Sequence, residues 1–307
     1  MDPRGPRVDT PAPAKLASYL DWSDKGASTF ARYAIGLVLI FASWFVLGAL
    51  VAIPFTVIGV TALGGGVAGK TLGVVSSFFA AAAAVPLVTR YLLKRPWWSF
   101  GFRDARIDYR AVGIALAVGL VVSLASTLIF GALGLLQIRF QTPDLGQYLL
   151  LLAVAGVGLL VQTGTEEFMY RGYLTQFVRR YTANPFVFIG VPALIFAAMH
   201  IANIAAFGRH WHVLLPYLVA ALLYAWFAYR TGALWMAIGL HWANNLGNSV
   251  LIGTDIDVLP SLAPVIIEDP SFDLVLWVTG FSALLTFVLL EALIRRSEKI
   301  GLQDLRR

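Results

Sequence analysis

The sequence predicts an all-α polytopic membrane protein of about eight transmembrane helices with both termini in the cytoplasm. Three observations carry this expectation. Of the 307 residues, 59% are hydrophobic and 13% charged, whereas a soluble domain is about a quarter charged. Apolar runs long enough to cross about 30 Å of hydrocarbon recur along the chain. The basic residues between those runs fall in alternate loops, as the positive-inside rule requires.

The runs lie at 33–60, 71–93, 111–136, 147–170, 186–205, 213–229, 233–252 and 273–294. Arg4, Arg7, Lys15, Lys25 and Arg32 precede or open the first. Between the second and third stand Arg90, Lys94, Arg95, Arg103, Arg106 and Arg110. Arg171, Arg179 and Arg180 follow the fourth, Arg230 the sixth, and Arg295, Arg296, Lys299, Arg306 and Arg307 the eighth. The intervening loops hold Lys70, Arg139 and Arg209, and the last of them carries Asp255, Asp257, Glu268 and Asp269. An even number of spans keeps both basic ends on one side; an odd number does not. Trp97, Trp98 and Trp211 near span ends fit an interfacial belt, and the alanines 80–84 suit close helix packing in the second span. The expected organisation is a flexible cytoplasmic tail (1–32) without the apolar core of a cleavable signal, one membrane domain (33–295, motif core 147–252) and a short basic tail (296–307).

Composition also excludes function classes. There is no cysteine, so thiol catalysis and thiolate metal sites are out. The net charge of +6 lies between apolar runs, which is a topological pattern, and no nucleic-acid partner is expected. Residues 64–71, GGGVAGKT, formally satisfy the phosphate-loop pattern. That motif needs a strand feeding a glycine loop into a helix, and here it joins two spans. A flexible loop is expected, with no nucleotide.

Ionisable groups inside transmembrane segments are costly and mark functional sites by default. In TEEFMYRG, residues 165–172, Glu167 and Arg171 are four apart with the glutamate first, the favourable order for an intrahelical ion pair. Glu166 lies about 100° round the helix and is the carboxylate left over. FAAMH places Phe196 and His200 four residues apart on one face. HWANN does the same for His241 and Asn245, with Asn244 facing elsewhere. Glu166, His200, His241 and Asn245 together make a base, two imidazoles and an amide donor, an inventory for hydrolysing an amide bond. Taken singly, each reads as interhelical hydrogen-bond glue; their joint occurrence weakens that reading. His210 and His212, flanking Trp211, read as interfacial, with a metal role as the lesser alternative.

The three patterns Glu-Glu-x-x-x-Arg, Phe-x-x-x-His and His-x-x-x-Asn stand in this order over residues 147–252. In this the chain resembles the CAAX protease and bacteriocin-processing family of intramembrane proteases, also called the Abi or type II CAAX prenyl endopeptidase family; Gly172 after Arg171 agrees with it too. The resemblance implies an eight-helix core with a catalytic pocket open toward the cytoplasm. It makes Glu166 the catalytic glutamate, Glu167 and Arg171 its supporting pair, and His200, His241 and Asn245 the remaining active-site positions. Substrates in the family run from prenylated eukaryotic proteins to bacterial peptides. The missing cysteine, alanine-rich helices and short loops suit a bacterial member in the cell (inner) membrane.

The expected chemistry is an intramembrane endopeptidase acting on a membrane-associated, in some members lipidated, protein or peptide. Glu166 activates water, His200 holds it, and Asn245 with His241 stabilises the oxyanion. A metalloprotease version, with zinc on His200, His241 and Glu166, stands beside it. The competing class is a non-enzymatic immunity or scaffold protein on a degenerate protease fold; a transporter would more often show paired halves with broken helices. One tension is depth. With Glu166 near the cytoplasmic end of the fourth span, His200 about 24 Å into the fifth meets it only if that helix starts below the membrane surface, tilts, or bends at Pro192.

Overall fold

Thr29, Asp108 and Asp144 each accept a hydrogen bond from the backbone N–H three residues on, and Asn184 accepts from Phe186 N–H just after Pro185. These side chains satisfy orphan N–H groups and fix four helix starts. The computed structural model describes residues 18–204, 211–254, 261–268 and 271–299. They form eight helical rods in the predicted order: α1 Phe30–Thr61, α2 Val67–Leu92, α3 Tyr109–Ala132, α4 Leu145–Arg179, α5 Pro185–Ala198, α6 Trp211–Thr231, α7 Trp235–Val250 and α8 Phe272–Lys299. Six of them, α1–α4, α6 and α8, are long and apolar enough to cross a membrane by length and composition. Along α1, Tyr33, Gly36 and Ile40 are buried, while Val38, Phe45, Val46 and Leu50 are exposed. That outward apolar face is suited to lipid.

The two short rods are the ones at the centre of the chemistry. α5 has 14 residues and α7 has 16. Most of α7 is buried, including His241 and Ser249. It packs along α3 so closely that a Cβ on Gly239 would overlap the backbone of Val112 and the side chain of Ala115.

Hydrogen bonds between loops establish which loops share an end of the bundle. Tyr19 N–H donates to Gly232 O, between α6 and α7, and Gln176 in the last turns of α4 donates through Nε2 to Tyr19 O and Ser99 O. Arg32 at the start of α1 donates to Leu92 O at the end of α2, and Arg230 pairs with Glu298 of α8. The segment before α1 and the α2–α3, α4–α5 and α6–α7 connections therefore lie together, and these are the basic ones. At another site, β1 (Ile138–Phe140, between α3 and α4), β2 (Ile252–Thr254) and β3 (Val265–Ile267, both between α7 and α8) form a sheet of order β1-β3-β2. β3 runs antiparallel to β1 and parallel to β2, and Arg139 bridges to Glu268 at 2.7 Å. Two loops of the other parity thus meet, as alternation requires. Residues 1–17, Arg209, His210, Asp255, Asp257, Asp269 and the tail from 300 lie outside the described residues.

Arg95 departs from its topological reading. It is 1% exposed and donates to Trp22 O, Tyr33 Oη and Gln176 Oε1. It ties the segment before α1 to α4, and its loss leaves several buried acceptors unmatched. Arg95→Ala is expected to destabilise the protein by about 2–4 kcal/mol, read as a lowered thermal midpoint in detergent. A loss below about 1 kcal/mol would show the knot to be incidental.

The phosphate-loop pattern also has a structural cause. Gly64 and Gly65 take φ of +71° and +68° in the turn between α1 and α2, a conformation only glycine adopts freely. Gly69 and Gly59 lie backbone to backbone across the hairpin, each where a Cβ would strike the other. Among the described residues no strand precedes this loop.

The main correction concerns α4. The rod runs on to Arg179, nine residues past the predicted end at 170, and α5 stops at Ala198 instead of 205. Hydropathy missed the extension because Arg171 and Gln176 look like loop residues, yet both are buried. Glu166 is consequently not near the end of its rod. It lies about 20 Å from Arg179, and Phe196 about 17 Å from Pro185, at 1.5 Å per residue. With α4 extended, Glu166 and Phe196 come to nearly one level if the rods run antiparallel, and His200 follows Phe196 through their ring contact just past the end of α5; Pro192 is buried inside α5.

Candidate active site

From Gln162 to Gln176 α4 is buried at every position but Phe168, which is partly so. Just after Glu167 the helix widens over Phe168–Leu174, where Thr175 N–H reaches Tyr170 O, five residues back. Such wide turns inside α-helices are frequent at functional sites.

The ion pair expected from spacing is present: Arg171 Nη1 donates to Glu167 Oε1 at 2.8 Å, and the two side chains are 1% and 0% exposed. The same Glu167 oxygen also lies 2.8 Å from His241 Nδ1. A carboxylate paired with arginine only accepts, so Nδ1 carries the proton in this contact. On the other side of the ring, His241 Nε2 lies 3.4 Å from Glu166 Oε2. One imidazole thus stands between two adjacent carboxylates. Glu167 orients it and Glu166 faces its other nitrogen. The sequence grouped His241 with Glu166 but gave no sign that Glu167 would hold its other nitrogen, since that contact depends on how α7 packs on α4.

Oε2 of Glu166 is buried without a hydrogen-bond partner among the described residues, as are Gln162 Oε1, Glu167 Oε2, Tyr170 Oη and Arg171 Nε and Nη2. Buried polar atoms in native proteins are almost always satisfied. Six such atoms fall on one stretch of α4, which makes this the polar part of an otherwise apolar rod.

His200 stands at the edge of this cluster through Phe196, and Asn245 lies one turn along α7 from His241. His200 Nδ1 donates to Phe196 O at 2.9 Å. Its ring lies 4.7 Å from that of Phe196, which is 5.7 Å from His241. The Arg171 guanidinium lies 4.3 Å over the Phe196 ring, a cation–π contact that gives Phe196 its supporting place. Asn245 is half-buried and its Oδ1 accepts from Asn244 Nδ2 at 3.1 Å, so its own Nδ2 is the donor end. Sequence reasoning missed two tyrosines of α6: Tyr217 stacks on His200 and Tyr224 on His241. Their seven-residue spacing, two turns on one face, was the available signal.

The residues named for zinc do not assemble as a ligand set. Among the described residues no three histidine or acidic side chains are grouped to hold one metal ion. Glu166 and His241 meet, whereas His200 contacts Phe196 and Tyr217, and Glu167 already engages His241 Nδ1. His212 is in ring contact with Trp211 at 5.9 Å.

Fold and cluster together define an integral multi-pass membrane protein with a buried carboxylate–imidazole centre. Residues 146–247, about a third of the chain, match the family model described as type II CAAX prenyl endopeptidase Rce1-like. This is the family that the three motifs resemble, and it supports a peptidase at the family level. The chain is also 26% identical over 190 residues to the Bacillus subtilis (strain 168) uncharacterized protein YyaK, covering 61% of this chain and 64% of that one. The match thus spans less than two thirds of this relative's length. No solved structure matches the chain.

Proposed function

We propose that the protein is an intramembrane endopeptidase that hydrolyses a peptide bond of a membrane-associated protein or peptide. The observation that carries the reading is the contact set at His241: Glu167 on Nδ1 at 2.8 Å and, on the Nε2 side at 3.4 Å, Oε2 of Glu166, an atom without a hydrogen-bond partner among the described residues. Glu166 takes a proton from water, whose oxygen attacks the carbonyl carbon. The carbonyl electrons move onto oxygen, and the Asn245 amide is the donor that meets them. The C–N bond then breaks as the amine takes the proton from Glu166, leaving a carboxylic acid and an amine. With Nδ1–H committed to Glu167, a neutral His241 presents a lone pair at Nε2. It therefore relays a proton with Glu166, and donates to the oxyanion only after gaining a second one. His200, its Nδ1 tied to Phe196 O, likewise offers Nε2 as an acceptor for water.

The proposed orientation follows the positive-inside rule. The end that gathers the segment before α1 and the three basic connections faces the cytoplasm, in a bacterial cell membrane. Prenylated substrates belong to the proposal because the matching family is described as a prenyl endopeptidase.

The test is cleavage of a membrane-anchored peptide library, lipidated and unlipidated, by purified full-length protein in liposomes. Site-specific cleavage is expected. Its absence across the library would favour the immunity or scaffold alternative. Metal analysis and chelation address zinc: activity lost on chelation and restored by Zn2+ would replace the metal-free step.

A further inference from the structure

Both histidines of the cluster rest on one face of α6, each against a tyrosine. The Tyr217 ring lies 4.1 Å from that of His200 at an interplanar angle of 21°. The Tyr224 ring lies 4.9 Å from that of His241 at 24°. The phenylalanine contacts of the same rings are tilted or edge-on: Phe196 meets His200 at 49° and His241 at 80°. Seven residues separate the tyrosines, which places them two turns apart, about 10 Å along one side of the helix.

A hydrogen bond at Nδ1 holds one atom of an imidazole but leaves the ring able to swing about that bond. A face-on partner removes the swing. Each histidine has one of each: Phe196 O and Tyr217 for His200, Glu167 and Tyr224 for His241. The tyrosines are themselves held. Tyr217 Oη accepts from Asn203 Nδ2 at 2.8 Å, and the Arg171 guanidinium lies 5.4 Å over the Tyr224 ring. We propose that Tyr217 and Tyr224 are positioning residues, which fix the planes of His200 and His241 and so set the direction of their Nε2 atoms. The inference rests on the proteolytic reading above for its consequence, and on geometry alone for the pairing.

The experiment uses the full chain in nanodiscs with isotope-labelled histidine. The chain has 4 histidines, and variants His200→Gln and His241→Gln assign the two ring signals. Tyr224→Leu is expected to move the His241 ring resonances downfield, by removing the ring current above them, and to leave those of His200 in place. Tyr217→Leu does the reverse, and the two Tyr→Phe variants keep both near their original positions. On a cleaved peptide, each Leu variant lowers kcat about tenfold with little change in KM, and each Phe variant restores most of it. Resonances that ignore the Leu substitutions would overturn the pairing. Resonances that move while kcat holds would make the tyrosines core packing only. Absence of cleavage by the unsubstituted protein would remove the catalytic consequence together with the proteolytic reading, and the resonances would then report the pairing separately.

Discussion

Glu166→Gln is expected to lower the cleavage rate by about 100- to 10,000-fold, the usual contribution of a positioned general base, while leaving the fold in place. Glutamine keeps the shape of the side chain and sits where Glu166 Oε2 faces His241 Nε2, but it cannot take a proton from water. Glu166 makes no salt bridge to Arg171, so its neutral substitute leaves the buried arginine paired with Glu167. Thermal midpoint and rate should therefore separate: the rate falls and the midpoint stays. Cleavage within about threefold of the original would assign the base elsewhere, and a collapsed midpoint would make Glu166 structural.

The second large effect concerns the neighbouring pair. Arg171→Met strands Glu167 as a buried charge, and Glu167→Met strands Arg171; each is expected to cost about 3–5 kcal/mol. The double variant Glu167→Met/Arg171→Met removes both charges. Replacing a buried pair with apolar groups of similar volume is often close to neutral, so most of the stability should return. Activity should not, because the carboxylate that holds His241 Nδ1 is gone. A double variant that regains both stability and cleavage would reduce Glu167 to a helix-holding residue. One that regains neither would show that the cation–π contacts of Arg171 with Phe196 and Tyr224 matter more than the ion pair.

The parts of this molecule legible in the sequence are those set by local periodicity. Eight rods in order follow from apolar runs, and the Glu167–Arg171 bridge from a four-residue spacing on one helix. What stayed hidden depends on packing between distant segments. Arg95 reads as one basic residue among six in a loop, and only the fold buries it against Trp22, Tyr33 and Gln176. The end of α4 was misread because buried polar residues look like surface ones to a hydropathy scale. The contact between His241 and Glu167, 74 residues apart, has no local signature at all. Nor do the three-residue strands at 138–140, 252–254 and 265–267, which are too short to show alternation.

Hydrolysis in H2-18O with the unsubstituted protein and Glu166→Gln side by side tests the central claim most directly. One 18O atom in the new carboxyl group of the N-terminal fragment, formed by the unsubstituted protein and all but lost with Glu166→Gln, is the expected result. N-terminal fragments without the label, or labelled fragments formed equally well by Glu166→Gln, would contradict it.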